Sequence, residues 1–279
     1  MNDNKTVKPI PEEKDVLHMN LGFAGIEAYK LIRANLSFML PSDEERRCKF
    51  IGITSSVRSE GKSTTAINLA YVIAEAGNKV LLVDGDMRLP SVGKKLKISN
   101  DPGLSNALSQ LSTGVVEIHK DFVFENWDVL TAGDIPPNPS ELLGSGRFKR
   151  FLNQIADLYD YCIVDLPPVN IVADALVVSS VLDGMIVVVR EDYTERSDLN
   201  ECMRKLNTVH AKVIGMVVNY SGAEDTKYKY YKNRRGYYKK KNSKRYGYDS
   251  GYGYGYGYGY GYEKAAESKD AKPEENKTK

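Results

Sequence analysis

The sequence predicts an α/β fold built on one doubly wound, mostly parallel sheet. Three observations carry that expectation. Short apolar, β-rich runs alternate with stretches of helical periodicity through most of the chain, as in strands joined by helical crossovers. Several runs are continuously apolar, which marks strands covered on both faces. One of them, from Phe50 to Ile53, leads through a polar loop into Gly61-Lys62-Ser63-Thr64 and then a helix.

Strand, loop, GK[ST] and helix in that order form a phosphate-binding loop of an NTPase. Gly61 lets the backbone bend close to phosphates. The N–H groups of Glu60, Gly61, Lys62, Ser63 and Thr64 are expected to point inward at a helix start, where the dipole also favours an anion. Lys62 supplies a positive charge to the β- and γ-phosphates and is expected to face the empty site without packing into the core. The Ser63 hydroxyl suits Mg²⁺. Ser56 stands where the motif usually has its first glycine. After the loop, Ala66, Ile67, Leu69, Ala70, Ile73 and Ala74 recur at helical spacing up to Gly77.

The remaining elements follow in order. From about Phe23 to Met39, an amphipathic helix shares Ile26, Tyr29, Ile32, Leu36 and Met39 on one face. Glu27, Lys30 and Arg33 form a charged ridge beside it; on pattern alone this is a solvated face. Residues 79–83 read as a buried strand closed by Asp84-Gly85-Asp86. Carboxylates at i and i+2 past a strand's carboxyl end suit Mg²⁺ or its waters, or proton abstraction from a hydroxyl. A helix spans Leu104 to Leu111 and a strand Trp127 to Leu130. Pro136-Pro137-Asn138-Pro139 excludes regular structure, and Ser140 caps a short helix. Phe148 to Leu158 is amphipathic. Tyr161 to Asp165 is a second buried strand ending in an aspartate suited to Mg²⁺. Two further strands, Gly184 to Val189 and Val213 to Val218, flank a helix from about Glu195 to Asn207.

At 279 residues the chain is long enough for one large α/β domain. The expected division is a polar arm at 1–22, a folded domain at 23–220 and a disordered tail at 221–279. A net charge of +2 gives no global signal for nucleic acid. Cys48, Cys162 and Cys202 lack metal-ligand spacing and read as buried or incidental thiols. The polar N-terminus has no secretory signal, and no run reaches the ~20 apolar residues that span a bilayer.

Thirteen of the 19 tyrosines lie between Tyr228 and Tyr262. Tyr252, Tyr254, Tyr256, Tyr258, Tyr260 and Tyr262 alternate with glycine, which removes one whole face of any strand. Alone, the segment reads as a low-complexity, sticky tail. Behind a domain that transfers phosphate to protein, it reads as a set of autophosphorylation acceptors. Ten Lys or Arg and no acid lie between Lys227 and Arg245, a run suited to solubility, anionic lipid or acidic neighbours.

Taken together, the motifs resemble those of a known family. Ser55-Ser56 with Glu60-Gly61-Lys62-Ser63, then Val83-Asp84-x-Asp86-x-Arg88-x-Pro90, then Pro136-Pro137-Asn138-Pro139-x-Glu141-Leu142-Leu143, then Ile163-Val164-Asp165-x-Pro167-Pro168 are similar to the bacterial protein-tyrosine kinases. The resemblance is to the separate kinase subunit of capsular and exopolysaccharide systems, a relative of MinD/ParA ATPases. It implies an ATP- and Mg²⁺-dependent tyrosine autokinase that regulates polysaccharide synthesis or export. Asp84, Asp86 and Asp165 would then be its acidic motifs, with Asp86 favoured as the group that activates the attacking tyrosine. The family's Glu-x-x-Arg-x-x-Arg oligomerisation motif becomes Glu27-x-x-Lys30-x-x-Arg33, and Lys keeps the charge without bidentate geometry. Arg58 and Ser59 stand where the family often has Pro and Gly. Implied partners are a membrane-bound activator or co-polymerase, further copies in a ring-like assembly, and a tyrosine phosphatase. The implied place is cytoplasmic, at the inner face of the membrane through a partner. The rival reading is a MinD/ParA-like ATPase switch without kinase activity, which has no use for clustered phenols.

Overall fold

Helix α1 (Phe23–Met39) and strand β1 (Lys49–Ser55) lead into α2 (Lys62–Glu75), β2 (Val80–Asp84), α3 (Val92–Leu96), α4 (Leu104–Leu108) and β3 (Trp127–Leu130). Then come α5 (Pro139–Leu143), α6 (Gly146–Ile155), β4 (Tyr161–Asp165), α7 (Asp174–Val178), β5 (Gly184–Arg190), α8 (Arg196–Thr208) and β6 (Val213–Asn219). The computed structural model describes residues 21, 23–40, 48–109 and 118–220. The expectations for the N-terminal arm and the whole tail, including Tyr252 to Tyr262, lie outside the described residues, while the helix expected from Leu104 to Leu111 ends at Leu108, where Ser109 turns extended.

The six strands form one sheet in the order β3-β2-β4-β1-β5-β6, and every ladder is parallel. The expected parallel sheet is thus present. Because β4 inserts between β1 and β2, the loops after these three strands emerge side by side. Asp84 on β2 is in register with Asp165 on β4. This placement brings the two acidic motifs and the phosphate loop to one edge.

Strand alternation sorts the apolar residues into two cores. Phe50, Leu81, Val83, Cys162 and Val164 face α5, α6 and α8. Ile51, Ile53, Leu82, Ile163 and Trp127 face α1 and α2. Every residue of α2 from Thr65 to Ala74 is buried, because the sheet covers one side and α1 the other. On α1, Tyr29 and Leu36 are buried, as is Leu40 just past its end, but Met39 is half exposed; the inward face turns slightly from the expected one at its end.

Some local expectations change. Asn138 occupies the N-cap of α5, which starts at Pro139, so Ser140 lies inside the helix and its hydroxyl is spent on Asp174. Helix α6 runs from Gly146 to Ile155, starting before Phe148 because the Ser145 hydroxyl accepts the Arg147 N–H. Helices α3 and α7, five residues each, were not expected; they are too short to establish a period of 3.6.

All three cysteines are buried, and none is in a disulfide. Burial, with Cys48 beside it, pushes the Cys162 thiol well up, and burial, with Glu60 nearby, pushes Cys202 up to about 12. A thiolate is the reactive form. A disulfide-exchange reagent at pH 8 should therefore label none of the three cysteines in the native protein and all three after unfolding. Rapid native labelling of even one would contradict this packing.

Candidate active site

The loop after β1 turns through two residues in the left-handed region, Ser59 (φ 64°) and Gly61 (φ 94°). That conformation explains why glycine suits both positions. Ser56, at the motif's usual first glycine, donates its hydroxyl proton to Glu60 Oε1 (2.7 Å). Glu60 Oε2 accepts the Val57 N–H (2.8 Å), and Thr194 also hydrogen-bonds Glu60 Oε1. The Glu60 carboxylate is wholly buried, so its side chain braces the loop from within.

Further braces come from the far end of the chain. Asn219, the last residue of β6, donates its amide to the Glu60 carbonyl (3.1 Å). The Arg190 guanidinium donates to the Ser59 carbonyl (3.3 Å) and lies over the rings of Tyr193 (4.9 Å) and Tyr220 (4.3 Å). No sequence motif marks Thr194, Asn219, Arg190 or Tyr220; the first three reach loop partners more than a hundred residues away, and Tyr220 stacks on Arg190.

A Cβ on Gly61 would overlap the Asn219 amide, and its φ would cost a non-glycine residue about 1–2 kcal/mol. Gly61→Ala should weaken nucleotide binding by about tenfold or more, measured by calorimetry. Wild-type affinity in that variant would show that the loop does not hold the phosphates.

Lys62 opens α2. Its side chain is 13% exposed, with Nζ 2.8 Å from Asp86 Oδ2 and 3.7 Å from Asp165 Oδ1. It is therefore more enclosed than its motif suggested. Burial opposes its charge, but Asp165 and Asp86 outweigh that and hold the ammonium above its usual range. Ser63 and Thr64 follow it on the cavity wall.

The three carboxylates differ in what they can do. Asp84 Oδ1 accepts the Asp86 N–H (3.1 Å), and Oδ2 accepts those of Ser91 (3.1 Å) and Val92 (3.0 Å). It staples the loop after β2 and does not line the cavity. Burial, and next the charge of Asp165, push it up to about 7. Asp86 lines the cavity; one oxygen accepts the Leu89 N–H (3.1 Å) and the other faces Lys62. Asp165 is fully buried; burial raises its pKa while the Lys62 charge and Ser63 pull it back, and neither oxygen makes a close hydrogen bond, Lys62 standing at 3.7 Å.

A buried carboxylate with no close hydrogen bond, beside Ser63 and Asp86, fits a divalent cation. Among the described residues no cluster of three or more His, Cys, Asp or Glu forms an all-protein cage, and Mg²⁺ ordinarily completes its shell with waters and phosphate oxygens. The cavity measures about 450 Å³. Its wall beyond Asp86 carries Arg88, Leu89, Lys95, Pro167, Pro168 and Ile171. Arg88 is gripped bidentately by buried Asp174 (2.9 and 3.1 Å) and donates to Ser140 (3.0 Å).

The three α1 residues separate. Lys30 pairs with Glu27 at the surface (3.1 Å). Arg33 turns inward and donates to the Val72 carbonyl (2.6 Å), one of the unpaired carbonyls that end α2. The expected single charged ridge is a surface pair plus a helix-to-helix clasp.

Residues 48–217 match a family model described as "AAA domain". A tyrosine-protein kinase of Bacillus subtilis, YwqD, is 37% identical over 78% of this chain and 87% of its own. The crystal structure of the chimerical protein CapA2B2 superposes with a TM-score of 0.68 at 34% identity, over 76% of this chain and 92% of that one. The cell-division ATPase MinD of Pyrococcus furiosus superposes with a TM-score of 0.53 at 22% identity, over 63% and 74% of the two chains; that likeness concerns the fold alone.

Proposed function

The chain belongs to the bacterial tyrosine-protein kinases, and from that premise we propose that it transfers the γ-phosphoryl group of ATP to tyrosines of its own tail. The observation that carries this is the meeting of Lys62, Asp86 and Asp165 at the head of α2. The inward N–H groups from Glu60 to Thr64 would hold the phosphates. Ser63 and Asp165 would hold Mg²⁺, with Asp84 keeping the neighbouring loop in shape. When bound, the ion neutralises charge on the β- and γ-phosphates. The tyrosine oxygen attacks γ-phosphorus, the bond to the β–γ bridging oxygen breaks, and the phenolic proton passes to Asp86. Lys62 offsets the charge that develops on the transferred group and on the departing ADP.

The acceptors in this reading are Tyr252, Tyr254, Tyr256, Tyr258, Tyr260 and Tyr262. The exposed Glu27–Lys30 pair, with Leu31 and Phe38 exposed on the same helix, offers a surface for assembly with further copies. No helix among the described residues is long and apolar enough to cross a membrane. Recruitment to the inner face of the membrane therefore falls, in this proposal, to a membrane-bound activator of capsular or exopolysaccharide synthesis. A phosphatase would reset the tail. Each phosphate adds about −1.5 to −2 charge, so six would outweigh much of the basic run at 227–245 and loosen contacts with acidic neighbours.

The test is phosphotyrosine detection after incubation with Mg·ATP, beside a control chain ending at residue 220. The expected result is strong labelling that the control lacks. ATP hydrolysis with no phosphotyrosine in the full chain would instead support a MinD-like switch.

A further inference from the structure

The catalytic cavity has an apolar lip that phosphate binding does not use. Leu89, on the loop after β2, and Ile171, on the loop after β4, both line it, yet each is about half exposed (54% and 49%). They stand on the two loops that follow Asp86 and Asp165. The position between them is held stiffly. The Leu89 N–H is bonded to Asp86 (3.1 Å), its neighbour Arg88 is locked by Asp174 and Ser140, and Pro167-Pro168 fixes φ just before Ile171. The nearby charge is mostly positive: Arg58, Arg88, Lys95 and Arg190 line the same cavity.

We propose that Leu89 and Ile171 form a seat for the aromatic ring of the acceptor tyrosine, and that its occupant is the Tyr-Gly segment at 251–262. This rests on the kinase reading above. Aliphatic side chains flanking a planar ring desolvate both without requiring a hydrogen bond, leaving the phenolic oxygen directed to Asp86 and phosphate. The Tyr-Gly segment offers only phenols as side chains, because glycine stands between all of them. A neighbour with a bulky side chain would have to share the space between the lips and Arg88. The segment from Gly251 to Tyr262 carries no charge, so the cationic wall does not repel it. The same wall opposes entry of the run between Lys227 and Arg245, whose tyrosines sit among ten cations. Ring seat and charge together direct phosphorylation to the last six tyrosines of the cluster over the seven that precede them.

The experiment uses the full chain and a biotinylated peptide copying residues 251–262, with phosphorylation read on captured peptide. Leu89→Ser with Ile171→Ser removes the seat at two exposed positions, where the fold has little to lose. The expected result is a peptide KM raised about tenfold or more, while affinity for a fluorescent ATP analogue moves less than twofold. Leu89→Met with Ile171→Leu should restore the peptide KM. Replacing each glycine of the peptide by valine should raise the wild-type KM, and that increase should shrink in the double serine variant. An unchanged peptide KM in the double serine variant overturns the seat alone. The same unchanged KM with a reduced assembly mass by light scattering assigns the lip to a neighbouring folded copy and equally overturns it. A wild-type chain that leaves both its own tail and the peptide unmodified overturns the kinase reading and the seat with it.

Discussion

Lys62→Met should abolish tyrosine phosphorylation, with a loss of about 10³-fold or more, because it removes the side chain placed to meet the phosphates. The same change should also destabilise the protein. In the native site the Lys62 ammonium stands between Asp86 and Asp165, and its charge lowers the pKa values of Asp84 and Asp165. Breaking a buried pair by removing one partner costs about 3–5 kcal/mol. The pH dependence has a defined sign. Both carboxyl groups already have folded-state pKa values above their ordinary ones, Asp84 at about 7. Between about pH 4 and pH 7 the folded protein therefore binds more protons at Asp84 than the unfolded chain, and stability from this group falls as pH rises. Without Lys62 both values climb further. The variant should lose more Tm relative to wild type at pH 8 than at pH 5, as read by thermal denaturation. Equal losses at both pH values would show that the lysine does not neutralise this cluster.

Asp86→Asn should cut turnover by about 10²–10⁴-fold with a smaller loss of Tm than Lys62→Met, whereas Asp84→Asn should lower turnover and Tm together by releasing the loop. The difference follows from hydrogen bonding. An asparagine at 86 keeps one oxygen for the Leu89 N–H, and Lys62 retains Asp165. It loses the carboxylate that accepts the phenolic proton and the 2.8 Å ion pair with Lys62, but the backbone of the loop stays tied. An asparagine at 84 must place its NH₂ group against the N–H donors of Ser91 and Val92 or of Asp86. That leaves a buried donor unsatisfied, at about 1–3 kcal/mol, and releases the loop that carries Asp86 and Leu89. Phosphotyrosine yield and Tm measured together separate the two roles. An Asp86→Asn chain with wild-type turnover would remove this residue from proton transfer.

The parts legible in the sequence are those whose signals are local. Gly61, Lys62 and Ser63 identify themselves by spacing, and the strands ending at Asp84 and Asp165 by apolar runs closed with a carboxylate. The common edge of these loops follows from parallel topology. Side-chain direction was not legible. Glu27, Lys30 and Arg33 share a spacing, but Arg33 finds an orphan carbonyl at the end of α2, a partner set by packing. Ser140 has the chemistry of a cap, yet Asn138 takes that position and Asp174 takes the hydroxyl. The division of labour between Asp84 and Asp86 depends on which backbone amides the next loop supplies, and an i, i+2 pattern carries no record of that.

The brace from Asn219 to Glu60 spans 159 residues, and the one from Thr194 spans 134. The phosphate loop is therefore finished by parts made more than a hundred residues after it. During synthesis at about 5–20 residues per second, the loop waits on the order of ten seconds between leaving the ribosome's catalytic centre and the arrival of β6. Its neighbours β4 and β5 also come late, so a nascent chain has no finished sheet on which to mount Lys62. A growing chain thus lacks this brace until β6 has been made, and a transcript truncated before Asn219 yields a chain without it.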